Sequence, residues 1–203
     1  MITVAFHSNQ LCLTGTEVAL FDYADYNEHL LGNRSVIVSD QNSPNNNCEA
    51  IAKFSARFPV YLYSDRRQIE GILAKEGVDL FYCIKAGFND GLCSNLCKTA
   101  VHVVFEYMEP HGDVYAYISE WLANHMSAGK LPFVPHMVHL PETDEDLRSE
   151  LGIPTGAVVF GRHGGFHTFD VPFVPLVVET VAERIPEIYF VFMNTKPLSL
   201  IHI

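Results

Sequence analysis

The sequence predicts an α/β protein: a mainly parallel sheet with helices on both faces, followed by the opening of a second unit of the same kind. Three observations carry this. Short apolar runs rich in Val, Ile, Phe and Tyr alternate with segments of helical spacing, and strands so separated need crossover connections, which make them parallel. The stretch from Leu131 to Asp170 places an acidic connector between two such patterns. Beyond the connector a new apolar run, Ala157 to Phe160, meets Gly161, Arg162, Gly164 and Gly165, the pattern of a buried strand feeding a glycine-rich turn.

Each element has its local reason. Ile2 to His7 is an apolar strand, and the loop after it ends in Thr14 and Glu17, spaced as a capping box in which the threonine hydroxyl accepts from the helix amide. Val18, Phe21, Ala24 and Glu28 mark the turns of the helix, and Gly32-Asn33 stops it. Val36 to Val38 is the second strand, and the DQNSPNNN loop behind it is read as too rich in asparagine to pack. A helix over 48–57, a strand over 59–63 and a helix capped by Asp65 and Gln68 and closed by Gly77 follow. Asp79 to Ile84, Thr99 to Phe105, Val114 to Ile118 and Phe133 to Val138 supply further strands, with Ser119 capping a helix. This is a Rossmann-like layer occupying 1–140. A linker over 141–152 carries a short acidic helix, DEDLRSEL, opened by Thr143 and Asp146. The second unit, 153–203, continues with a helix capped by Asp170, with Pro172 in its first turn, and a strand from Ile188 to Phe192. One βαβ unit cannot bury both faces of its sheet, so this unit is read as cut short, with an exposed edge that would drive dimerisation.

Composition excludes several classes. With 48% apolar and 18% charged residues in 203, the chain is neither disordered nor membrane-spanning, and no apolar run nears the ~20 residues a membrane helix needs. The amino terminus lacks the pattern of a signal peptide, so a cytoplasmic location is the default expectation. A formal net charge of −11, with scattered Lys and Arg, opposes non-specific nucleic-acid binding. Five cysteines without a compact framework are read as reduced thiols, and one CxxxC pair, Cys93 and Cys97, is too little for structural zinc; no metal is expected.

Ligands of open α/β sheets bind in loops at the carboxyl ends of strands. The first such loop holds Gly15, Thr16 and Glu17, read either as a ligand-facing helix start or as a plain tight turn. A dinucleotide G-x-G-x-x-G is absent there. In the loop after the fifth strand, His111 beside Gly112 can bond a sugar hydroxyl or a phosphate oxygen, with His102 and Glu106 as rivals. His102, within a strand, also reads as a satisfied core histidine. Arg162 with Gly164 and Gly165 suits a diphosphate, the alternative being an arginine reaching to solvent from a glycine-rich turn. Glu106 and Glu109 do not define a hydrolase carboxylate pair, and no G-x-S-x-G esterase elbow exists.

Three ordered pieces, FVPHMV, LRSELGIP and VVFGRHGG, with the upstream match PHGDVYAYISEWLA, resemble retaining, nucleotide-sugar-dependent glycosyltransferases of the GT-B fold, family 4 type. The resemblance implies two facing Rossmann-like domains and transfer of a sugar from a nucleotide sugar to an acceptor, without a cofactor or metal. It implies that His111, or Glu106 in its place, approaches the donor sugar, that Arg162, Gly164 and Gly165 meet the diphosphate, and that Gly15, Thr16 and Glu17 line the acceptor side. His167 stands where the family carries a lysine, and the acidic pair that holds the nucleotide would lie beyond Ile203, so weak or no activity of this chain alone is expected. The alternative is a non-catalytic remnant that binds a glycan or a protein partner.

Overall fold

Six parallel strands make the sheet of the first unit in the computed structural model, which describes residues 1–137, 142–163 and 171–193. The order along the chain is β1 (Thr3–Ser8), α1 (Gly15–His29), β2 (Arg34–Asp40), α2 (Cys48–Arg57), β3 (Val60–Tyr63), α3 (Gln68–Glu76), β4 (Leu80–Lys85), β5 (Lys98–Val103), β6 (Val114–Tyr117) and α4 (Glu120–Ser127). In the sheet the strands run β3-β2-β1-β4-β5-β6. The chain winds outward from β1 to β3, then restarts at β4 on the other side, which puts the topological switch between the carboxyl ends of β1 and β4.

Alternation along the strands divides two cores. Phe6 and Ile37 face α1 and α2, where Leu20, Tyr23, Phe54 and Phe58 close over them. Ala5, Val36, Val38, Phe81 and Cys83 face the opposite side, under Ile69 and Leu73 of α3. Val101, Val103, Tyr115 and Tyr117 extend that second face beneath Leu122 and Ala123 of α4. The link from β4 to β5 and the link from β5 to β6 contain no helix; Leu92 and Cys97 of the first link pack on the sheet instead.

Several elements depart from the sequence expectation. Phe133 to Met137 is not a ladder strand but a single parallel bridge, Tyr117 to Phe133, because Pro132 and Pro135 lack the amide a strand would donate. The asparagine loop does pack. Asn46 accepts from the Leu11 amide at 2.9 Å and donates to the Asp40 carbonyl at 2.8 Å, and Asn47 caps α2 through the Glu49 and Ala50 amides. Thr14 does not cap α1 with its side chain.

The chain divides into two compact units, Met1–Leu140 and Pro141–Ile203. In the second lie α5 (Arg148–Leu151), β7 (Val158–His163), α6 (Val174–Arg184) and β8 (Ile188–Met193), with β7 and β8 parallel. α5 is a single turn rather than the expected acidic helix. Thr143 and Asp146 spend their side chains on the Glu145 and Arg148 amides, which makes turns in place of a longer helix. α6 starts at Val174 with Pro175 in its first turn, later than expected, and Asp170 lies outside the described residues. Val158 and Phe160 are half exposed rather than buried, since their strand has one described neighbour.

Candidate functional site

At the carboxyl end of β5 and β6 the sheet opens into a pocket of about 740 Å³. Its floor is Val104, Ile118 and Leu122, and its wall carries Phe105, Glu106 and Tyr107 from the segment after β5 and Trp121 from α4. The local sequence dictates this. β6 is only four residues long, and Ser119 stops it by turning its hydroxyl to accept from the Leu122 amide at 3.1 Å, so α4 begins at the rim of the sheet. The segment after β5 is held by its own backbone: the Tyr117 hydroxyl donates to the Tyr107 carbonyl at 2.8 Å, and the single proton of the Tyr115 hydroxyl goes to the Gly87 carbonyl at 2.7 Å, with the Tyr107 carbonyl 3.2 Å away. Gly87 has φ of +126°, and a Cβ there would meet a Val103 methyl at 2.5 Å, so only glycine lets the segments after β4 and β5 lie this close. Phe105, Tyr107 and Trp121 keep 62%, 40% and 63% of their surface exposed around the opening. Trp121 is stacked on His125 with ring centroids 4.9 Å apart, and Tyr107 meets Phe88 edge-on at 5.6 Å, so two of the three rings are held in place.

The loop after β1 is built differently from the expectation of a ligand-facing acid. Glu17 is 1% exposed, and its carboxylate accepts from the Ser8 hydroxyl at 2.8 Å, from the Cys12 thiol at 3.1 Å and from the Thr14 hydroxyl. Thr14 therefore serves the side chain of Glu17 in place of a backbone amide. Burial pushes the Cys12 thiol up, with the Glu17 carboxylate adding to it. Gly15 and Thr16 remain on the outside of this knot, and a Cβ on Gly15 would meet nothing.

His111 is not in the pocket. Its Nδ1 donates to the Glu109 carbonyl at 2.6 Å and its ring lies edge-on to Tyr115, while its Nε2 is buried without a hydrogen-bond partner. Gly112, with φ of +75°, follows against the Thr99 carbonyl at the amino end of β5. Glu106 and His111 are thus set at opposite ends of one strand. His102 is a core residue: Nε2 donates to the Val134 carbonyl at 2.8 Å, which leaves Nδ1 to accept from the Tyr82 hydroxyl. Burial holds it near pKa 4, against the pull of the Val134 carbonyl. Arg162 lies on β7 in the second unit, and Gly164, Gly165 and His167 lie outside the described residues.

Beneath the switch point is a buried charged group that sequence reading missed. Lys85, at the end of β4, pairs with Asp90, and Arg66 bonds the same carboxylate at 3.1 Å and the Asp90 carbonyl at 3.0 Å. Burial pushes the Asp90 carboxyl up, but Lys85 and the Leu92 amide outweigh it and hold it below the usual range. His7 lies on the same face, its Nε2 3.0 Å from the Tyr63 hydroxyl and its Nδ1 without a partner. The signal available in the sequence was a lysine closing the apolar run LFYCIK, five residues before an aspartate. Among the described residues no group of His, Cys, Asp and Glu is arranged to hold a metal, and no helix is long and apolar enough to cross a membrane.

Sheet order, crossovers and a pocket at the strand ends define a Rossmann-like α/β protein. No family model matches the chain, and no curated protein matches it. Among solved structures it is similar to AviGT4, a glycosyltransferase involved in avilamycin A biosynthesis, with a TM-score of 0.51 and 13% identity over 95% of this chain. The chain spans 64% of the length of that structure. At this identity the likeness shows the fold, one shared with a glycosyltransferase.

Proposed function

We propose that this chain belongs to a sugar-transfer system of the GT-B type, moving a glycosyl group from a nucleotide sugar to an acceptor whose site is in the first unit. The observation that carries the reading is the pocket at the ends of β5 and β6, where Glu106 is the one carboxylate in a wall otherwise formed by aromatic and apolar side chains and Ser119. A carboxylate there can accept the hydrogen bond of an acceptor hydroxyl and fix its oxygen, which is positioning work that raises the rate by orienting a reactant. Arg162, followed in sequence by Gly164 and Gly165, is the residue proposed to meet the diphosphate. The likeness to a glycosyltransferase fold supports the reading.

Thermal unfolding with millimolar UDP, GDP and NAD tests it, because a ligand that binds only the folded state raises its stability. A diphosphate nucleotide raises the midpoint, NAD does not, and Arg162→Ala removes the rise. No shift with either diphosphate overturns the reading.

A further inference from the structure

The pocket pairs one carboxylate with three aromatic rings, and that decides what it takes. We infer that the pocket binds a planar hydroxyaromatic acceptor, a phenol-like ring system, with its hydroxyl donating to Glu106. That the ligand is an acceptor rests on the sugar-transfer reading; the binding chemistry does not. A sugar presents several donating hydroxyls and needs several converging acceptors, since each group buried without a partner costs about 1–3 kcal/mol. Glu106 is the one carboxylate of the wall, while Tyr107, Trp121 and Ser119, whose oxygen accepts from the Leu122 amide, each offer a single O–H or N–H donor. The Tyr107 carbonyl is already engaged by the Tyr117 hydroxyl at 2.8 Å. Glu106 makes no hydrogen bond or ion pair among the described residues and is free to receive one.

Apolar surface is abundant. Phe105, Tyr107 and Trp121 present exposed rings round the opening, and aromatic rings bury well against one another in offset or edge-on pairs. Trp121 and Tyr107 are already fixed by His125 and Phe88, so little order has to be gained on binding. About 740 Å³ is within the range of pockets that hold two- or three-ring ligands. Glu106 in the wall disfavours an anionic ligand in this pocket, and a phenol is neutral near pH 7.

Trp121 is the only tryptophan of the chain, so its emission reports on this pocket alone. Titration of the full chain with 4-hydroxybiphenyl gives a saturable change in that emission. 4-Methoxybiphenyl, which cannot donate, binds about tenfold more weakly, the order expected for one hydrogen bond to a charged group. Glu106→Ala weakens the hydroxy compound by about the same factor and leaves the methoxy compound unchanged, with Glu106→Gln in between. Equal affinity for the two biphenyls in the unaltered chain overturns the role of Glu106. A saturable response to maltotriose with none to 4-hydroxybiphenyl overturns the ligand class and makes the pocket a sugar site. No response to any of these compounds overturns the inference outright. The nucleotide titration is read separately: if it fails while 4-hydroxybiphenyl binds, the sugar-transfer reading falls and the hydroxyaromatic pocket stands.

Discussion

Two histidines of the first unit are buried in forms that cannot take a proton without cost. Burial holds His7 down to about 3, with Lys85 and Arg66 pushing the same way against the pull of Asp90. His102, held near 4, is committed at both nitrogens, one donating to Val134 and the other accepting from Tyr82. An unfolded histidine titrates near 6.5, so between that value and the folded value the unfolded chain binds more protons and acid favours unfolding. The stability these residues contribute is complete above about pH 6.5. It falls with decreasing pH until about 4 for His102 and about 3 for His7, where each becomes charged in the folded chain as well. Each contributes a slope of about 1.4 kcal/mol per pH unit within its interval. Urea unfolding at pH 7, 6 and 5 measures the sum, and His102→Gln, which cannot charge, flattens the slope by one such step between pH 6 and 5. An unchanged slope in that variant would show that His102 takes up its proton equally well in both states. Glu17 belongs with these two residues in kind: its identity is plain in the sequence, but that Ser8, Cys12 and Thr14 would all converge on its carboxylate is a matter of tertiary path, which spacing alone does not encode.

Elements were legible to the degree that local rules decide them. β1, β2 and β4 are apolar runs between polar loops, and their parallel pairing follows from the helix-length segments between them. The end of α3 at Gly77, with φ of +60°, is written in one glycine. Elements set by partners distant in sequence were not legible. Asn46 reads as loop composition, yet it ties the loop after β1 to the end of β2 because the parallel register brings Leu11 and Asp40 to either side of it. The rings of the pocket were hidden for the same reason, since Tyr107 and Trp121 come to one pocket only once β6 lies beside β5. The Lys85–Asp90–Arg66 group is the firmest of these distant ties, joining β4, the link after it and the turn before α3. A buried ion pair costs a great deal to desolvate, so removing one partner is worse than removing both. Asp90→Ala, which strands a buried ammonium, destabilises by about 3–5 kcal/mol. Lys85→Met with Asp90→Leu, which leaves no buried charge in the pair, costs much less. Urea denaturation of the two variants decides it, and a double variant as unstable as the single one would mean that the link after β4 depends on the charges themselves.

At the scale of the whole chain, the two units differ in how their strands are enclosed. β1 is paired on both edges and covered on both faces, with Ala5 and Phe6 buried on opposite sides of the sheet. Its amides can exchange only when the first unit opens as a whole. β7 and β8 pair with each other, α6 buries Val178 as its one fully enclosed residue, and Val158 and Phe160 keep about half of their surface exposed. Opening this pair breaks one ladder and little apolar packing, and local openings of that kind cost less free energy than global unfolding. Amide exchange at neutral pH therefore separates the strands into two classes. The slowest amides lie in β1, β2 and β4, and those of β7 and β8 exchange at least about a hundredfold faster, a gap of roughly 2.7 kcal/mol in opening free energy. Added diphosphate nucleotide slows the β7 amides around Arg162 and leaves β1 unchanged, whereas 4-hydroxybiphenyl protects the segment after β5. Equal protection of β7 and β1 without ligand would show that the two units open as one body, so that the division of the chain near Leu140 is one of packing density and not of stability.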